Sequence, residues 1–380
     1  MGLRDLQSAV RALAVVAESE APFVSCYANL EGDPRKTRAE LSDRVLTVRA
    51  SLEPDQRVDF EHALSQIMAF LGSRLARDSK GAAAFSRAGE KRYFRILPLH
   101  VPVPNHLSVD AIPNLFHLVA MKDAYHRYVV MIAHQDRSRI FEVDVGEITR
   151  EIWTNRPELR DRVARGWTRD HYQRHARNHG DRFLAEKLEI LDSLMAEGGQ
   201  THLVLAGSPE TTAHIKNMLP KRLQECLVDV VPAAARDRSA DVVSATLARF
   251  IEYEQQESVT RVAQLMDGLR RGGLAEADSD ATLKALQRGQ VDVLVIAEGY
   301  RPPAGWACRN CGYVERADHP PAACPVCGDP AVREADLRAE MVRLADLHDV
   351  EVEVVRESDM LIEIGGVGCL LKYRRLGQYV

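Results

Sequence analysis

Residues 283–299 read LKALQRGQVDVLVIAEG, a short helical pattern running into an unbroken apolar stretch, Val291–Ala297. Seven residues rich in Val, with Leu and Ile, suit a strand buried on both faces. Two cysteine pairs follow, in WACRNCG (306–312) and ACPVCG (323–328), and the pattern then resumes. A helix is expected over Glu334–His348, a strand over Val350–Val355, and strands around Leu361–Tyr373. Helices alternating with buried strands make an α/β/α layer. The cysteine stretch, about 303–330, is therefore an insertion inside that domain.

The insertion has the spacing C-x2-C-x12-C-x2-C at Cys308, Cys311, Cys324 and Cys327. Two residues between thiolates allow both sulfurs of a pair to reach one ion. Gly312 and Gly328 follow the pairs, where the tight turn needs a residue tolerant of positive φ. Four cysteines fill a tetrahedral shell and leave no position for water, so the expected site holds one structural zinc ion. The other reading is a pair of redox or disulfide C-x2-C motifs, but neither opens a helix of a thioredoxin-like βαβ unit.

Upstream, a helix over Ser279–Gln287 and a long helix of mixed charge, Ala240–Arg270, complete the C-terminal unit. Before it lie strands over 128–134 and 139–143, joined by a hairpin at Gln135–Ser138, then a short helix opened by Asn155 and Pro157. A longer helix is expected from Arg169 to Glu197, then strand His202–Ala206, helix Pro209–Cys226 and strand Leu227–Val231. The N-terminal stretch reads as α+β: helix Leu3–Ala17, strand Pro22–Leu30, helices Thr37–Leu52 and Gln56–Arg77, and strands Ala82–Phe85 and Tyr93–Leu99. The organisation expected is three domains, 1–120, 121–236 and 237–380.

At 380 residues, 46% hydrophobic and 28% charged, the chain has the composition of a soluble globular protein of more than one domain. No apolar run reaches the ~20 residues of a membrane span, and the N-terminus carries no signal or myristoylation pattern. The net charge of −5 argues against coating nucleic acid by bulk charge and leaves a local basic face open. Cys26, Cys226 and Cys369 sit in or beside strand-like runs and are expected to be buried free thiols of a reducing, cytoplasmic protein.

One stretch does carry a local excess of positive charge. Residues 156–187 hold nine Arg or Lys against five Asp or Glu, with His171, His175 and His179 among them. Such a stretch is either a solvated helical face or a footprint for phosphates. Trp167, between Arg165 and Arg169 in an expected loop, favours RNA, since an exposed indole stacks on a base. The candidate RNA contacts are Arg165, Gly166, Trp167, Thr168, Arg169, His171, Arg174, His175, Arg177 and His179. The three histidines stand at i, i+4 and i+8 on one side of a helix; without an intervening carboxylate they suit a contact face better than a metal. Gly198-Gly199-Gln200 follows a helix end and runs into a strand. Gly198 reads as the left-handed cap and Gly199-Gln200 as the short connecting loop. There is no phosphate-binding G-x4-G-K-[ST] loop, G-x-S-x-G elbow or paired-carboxylate motif.

The order of these units resembles the archaeal/eukaryotic-type peptide-chain release factor and Pelota superfamily, in its divergent bacterial branch. LKALQRGQVDVLVIAEG (283–299), the four-cysteine insertion and DMLIEIGGVGCLLKYR (359–374) are similar to the superfamily's C-terminal domain. THLVLAGSPETTAHIKNMLPKRLQ (201–224) is similar to the second half of its middle domain. The resemblance covers about residues 121–380. It implies an RNase H-like middle domain and an α/β/α C-terminal domain related to kink-turn-binding ribosomal proteins. The activity it implies is docking in the ribosomal acceptor site, with ribosomal RNA and a translational GTPase as partners and no DNA.

One family motif is displaced and another is missing. The hydrolytic Gly-Gly-Gln of release factors precedes a long basic helix, and here that place is held by Arg165-Gly166-Trp167-Thr168. The tripeptide at 198–200 comes one helix later, and the Asn-Ile-Lys-Ser stop-codon motif is absent from the N-terminal stretch. The expectation is thus a non-hydrolytic factor of ribosome rescue or hibernation with no catalytic residue. The rival expectation is a peptidyl-tRNA-hydrolysing factor using Gln200 or a replacement group.

Overall fold

The computed structural model describes residues 2–71, 79–134, 137–155, 169–234 and 236–373; for 153–155 and 169–181 the description is of backbone alone. The chain divides into two compact units, Met1–Ala124 with Gln255–Val380, and Tyr125–Glu254.

The first unit begins with α1 (Leu3–Ala14), whose Leu6, Ala9, Val10 and Leu13 form one buried stripe at helical spacing. Strand β1 (Phe23–Asn29) is followed by α2 (Pro34–Ser51), which starts where the Asp33 side chain accepts from the Arg35 N–H and Pro34 takes the first turn. Then come α3 (Pro54–Leu71), β2 (Gly81–Arg87), β3 (Tyr93–Leu99), β4 (His106–Asp110) and α4 (Phe116–Ala124). The strands form an antiparallel sheet in the order β3-β2-β1-β4. Helices α2 and α3 cover one face, packing Leu41, Phe60, Ala63 and Ile67 on Val24, Cys26, Ala84 and Leu107.

In the second unit, β5 (Tyr128–Ala133), β6 (Arg137–Asp144) and β7 (Glu147–Asn155) are antiparallel. Strand β7 was not anticipated, and it takes in Asn155, which was expected to open a helix. Helix α5 (Arg169–Gly198) leads to β8 (Leu203–Gly207), α6 (Pro209–Met218), α7 (Lys221–Glu225) and β9 (Leu227–Pro232). The single helix expected over 209–226 is two, because Pro220 cannot continue the first. The sheet runs β7-β6-β5-β8-β9, with β5, β8 and β9 parallel, and is therefore mixed. It is buried on both faces. Val129, Met131, Leu203 and Leu205 meet Leu188, Leu191 and Met195 of α5, while Val130, Ile132, Val204 and Ala206 meet Val242, Val243 and Phe250. These last three belong to α8 (Ser239–Arg270), which is shared between the two units.

The chain then returns to the first unit through β10 (Ala275–Ala277), α9 (Ser279–Gln287) and β11 (Val291–Ala297). Asp278 caps α9: its carboxylate accepts from the N–H groups of Asp280 and Ala281. The ribbon follows as β12 (Gly305–Cys308), β13 (Val314–Arg316) and β14 (Val332–Glu334), a three-stranded sheet in the order β13-β12-β14. Helix α10 (Leu337–Leu347), β15 (Glu351–Val355), α11 (Asp359–Glu363) and β16 (Val367–Leu371) close the fold. Residues 359–363 are a helix capped by Ser358, and so take the start of the stretch around Leu361–Tyr373 that was expected as strand. The sheet order is β10-β16-β11-β15. Helix α1 packs on α4 and α10, and α4 on β15, where the Asp123 carboxylate accepts from the Val354 N–H at 2.8 Å. Among the described residues, no helix is long and apolar enough to cross a membrane.

Candidate functional site

The cysteine pairs sit on two matching turns. Gly312 N–H donates to the Cys308 carbonyl at 3.0 Å and Gly328 N–H to the Cys324 carbonyl at 2.9 Å, with φ of 71° and 74° at the glycines. Each turn buries its first sulfur-bearing residue, Cys308 or Cys324, and exposes its second, Cys311 or Cys327. The four Sγ atoms all lie within 4.8 Å of one another; Cys308–Cys327 is 3.5 Å and Cys311–Cys324 is 3.6 Å. A tetrahedral zinc with Zn–S bonds of ~2.3 Å spaces its sulfurs by roughly 3.8 Å, so the cage fits one such ion.

The cage is also supplied with donors. Val326 N–H points to the Cys324 sulfur at 3.4 Å, and Asn310 Nδ2 to that of Cys327 at 3.7 Å. The Cys327 thiol is drawn down to about 7, first by the Asp329 N–H and then by hydrogen bonds from the other cysteines. Against the pull of a Tyr313 backbone hydrogen bond, burial and the neighbouring cysteines push Cys311 the other way, up to about 12, so a metal that binds only thiolate must displace that proton as it enters. With every ligand position taken by sulfur, the site is structural.

The remaining cysteines lie apart from the cage. Cys26 and Cys369 are buried, and burial pushes both thiols up to about 12, as inert core thiols should be. Cys226 is only half-buried.

Gly198-Gly199-Gln200 is a helix terminus. Gly199 N–H donates to the Ala196 carbonyl at 3.4 Å and Gln200 N–H to that of Met195 at 3.1 Å, the paired bonds of a Schellman cap. The left-handed residue is Gly199, at φ 64°, one position later than expected; Gly198 is the last residue of the helix. The Gln200 side chain is buried and folds back under the helix end, where a Cβ on Gly198 would overlap its amide. In the amide orientation that satisfies both ends, it donates to the Leu194 carbonyl at 3.2 Å and accepts from Arg127 at 3.3 Å. Arg127 gives no sequence signal for this role, since it is separated from Gln200 by most of the unit.

Of the candidate RNA contacts, Arg169, His171, Arg174, His175, Arg177 and His179 lie on one continuous helix, the first part of α5. Arg165, Gly166, Trp167 and Thr168 lie outside the described residues, as do Gln135 and Asp136 of the expected hairpin turn.

Residues 113–250 match the family model of bacterial archaeo-eukaryotic release factor family 10. That stretch takes in most of the second, middle unit, which is similar to this family. Peptide chain release factor subunit 1 of Thermococcus sibiricus is 29% identical over 120 residues, covering 27% of this chain and 29% of that protein. The chain thus spans under a third of the curated relative that it matches. Among solved structures, archaeal translation termination factor aRF1 is 17% identical, covering 98% of this chain and 99% of that one, with a TM-score of 0.27. Archaeoglobus fulgidus Pelota is 13% identical, covering 99% and 93%, with a TM-score of 0.37. Residues 306–333 match the rubredoxin-like domain of rubrerythrin, in agreement with the four-sulfur cage.

Proposed function

We propose that this protein is a ribosome-binding translation factor that does not hydrolyse peptidyl-tRNA and acts in ribosome rescue or hibernation. The observation that carries this reading is the burial of Gln200 inside a unit similar to release-factor family 10. A glutamine that holds its own helix end to Arg127 has its amide committed at both ends and offers nothing to an ester bond. What this region retains is a long helix whose first part is rich in Arg and His, preceded by Arg165-Gly166-Trp167-Thr168 where the family's tripeptide belongs. That basic tip would meet ribosomal RNA in the acceptor site. A translational GTPase would be its delivery partner, and the protein would work in the cytoplasm.

The test is co-sedimentation with ribosomes across a salt series, paired with a peptidyl-tRNA hydrolysis assay. Binding should weaken steeply with salt, because each phosphate neutralised releases counterions. Replacing Arg165, Trp167 and Arg169 together should weaken binding and flatten that slope. Failure to co-sediment at low salt would sink the proposal. Peptide release that needs Gln200 would move the protein to the hydrolytic class.

A further inference from the structure

The closing strand of the ribbon does more than complete a sheet. Arg333 lies in the middle of β14, directly opposite Ala307 in the ladder, and the next pair is Cys308 with Val332. Its side chain is 5% exposed and reaches three carboxylates from three separate segments. The guanidinium meets Glu18 at 2.7 and 3.0 Å, Asp110 at the end of β4 at 3.2 Å, and Glu340 in α10 at 2.6 Å. Glu340 is fully buried, and its second oxygen is taken by Arg343 at 2.9 Å. Of the three carboxylates on Arg333, Glu18 and Asp110 thus belong to the N-terminal sheet and its lead-in, and Glu340 to α10.

Burial opposes the charge on Arg333, yet the surrounding carboxylates hold its pKa above the ordinary value. Asp110 is the weaker partner: burial pushes it up to about 6, against the pull of Arg333. An open cleft of about 910 Å³ runs beside the cluster, lined by Glu20, Asp110, Trp306, Arg309, Arg333 and Asp336 among others. The N-terminal sheet therefore does not rest on the ribbon through a broad dry surface at this point. The hub spans it.

Whether Arg333 reaches these partners depends on the register of β14. That register is set by its pairing to β12, and β12 ends on a cage ligand. The Arg309 N–H to Ala331 carbonyl bond, at 2.9 Å, continues the ladder into the first cysteine turn, and Ala335 N–H closes onto the Gly305 carbonyl at 2.9 Å. Three-residue strands such as β13 and β14 have little stability of their own. They need the cage to persist.

We propose that Arg333 couples the four-cysteine cage to the seating of the N-terminal sheet, so that an intact ribbon is required to hold Glu18 and Asp110 in place. The ribbon is then an internal clamp as well as a surface decoration. Loss of the cage would free β14, and Arg333 would withdraw from both N-terminal carboxylates while Glu340 kept Arg343.

The experiment is hydrogen exchange on the full chain, zinc-loaded and then stripped with a chelator under reducing conditions. Stripping should speed exchange in residues 15–22 and 106–111 by about tenfold or more, while β5, β8 and β9 of the other unit serve as the unaffected reference. Arg333→Met in the zinc-loaded protein should loosen the same two segments with zinc content unchanged, and stripping should then add little. Glu18→Gln, on a partly exposed side chain, should give a smaller loosening confined to 15–22. Three outcomes would overturn the proposal. These are faster exchange confined to the ribbon, a uniform rise that includes the reference strands, or an Arg333→Met protein that still responds to stripping like the parent.

Discussion

The ribbon and the Gly-Gly-Gln turn use the same backbone device for opposite ends. Gly312, Gly328 and Gly199 all adopt left-handed conformations, at φ 71°, 74° and 64°. In the ribbon two such turns face each other, and the side chains they carry converge, with four sulfurs inside 4.8 Å. At 198–200 a single such turn folds its glutamine inward, against its own helix and Arg127. A motif carries chemistry only where its turn points the functional groups at a shared point open to a ligand. The ribbon meets that condition and Gly-Gly-Gln does not.

The largest effect that would test this contrast is loss of the cage. Structural zinc contributes roughly 10–16 kcal/mol of apparent binding free energy in small domains, all of it folding free energy where the apo site does not form. Cys308→Ser or Cys324→Ser, each removing a buried ligand, should abolish stoichiometric metal and unfold residues 305–334. Elemental analysis and hydrogen exchange read both. The parent should hold one zinc per chain. Tetrahedral sulfur also suits iron, so one iron per chain after expression without added metal would turn a structural cage into a redox site.

Gln200→Ala should act on the other motif, and more modestly. It removes a buried amide with two partners and leaves the Leu194 carbonyl and one Arg127 N–H unpaired, a loss of about 1–3 kcal/mol. Arg127 softens that loss, since Asp144 and Glu142 lie 3.7 and 4.0 Å from it. Urea denaturation should show a lower midpoint with the slope unchanged. No change in stability would break the capping reading and return Gln200 to the list of free functional groups.

The sequence was most informative where one physical requirement dominated. The run Val291–Ala297 has no alternative to a two-faced buried strand, and the cysteine spacing has few alternatives to a metal. It was least informative where tertiary context decided. Strand β7 follows a hairpin loop of Val145 and Gly146, at φ 48° and 74°; a valine there is no turn signal, and it is held because it is buried. Strand β4 and helix α4 are short, and their residues gain meaning only from β1 and β15. Pro220 marks a break, but the apolar pattern on either side of it reads as one helix. At the candidate site the cage was legible and the position of Gly-Gly-Gln at a helix end was too. Arg127 and Arg333 were not, because an arginine's partners lie wherever the fold brings carboxylates and amides.

The finest comparison is between the glycines themselves. A Cβ added to Gly199, Gly312 or Gly328 would meet nothing within 4 Å, so alanine at any of the three carries only the backbone cost of the left-handed conformation. That cost is about 1 kcal/mol, and asparagine should recover part of it. The same strain should then be read out differently. Gly199→Ala should lower the stability of the middle unit by that amount and leave metal content untouched. Gly312→Ala and Gly328→Ala should leave that unit alone and weaken zinc affinity by about fivefold, the equivalent of ~1 kcal/mol. Competition with a chelator of known affinity measures the second effect and urea denaturation the first. If Gly312→Ala left zinc affinity unchanged, the turn would not be what positions the sulfurs, and the likeness between the two motifs would end at their φ angles.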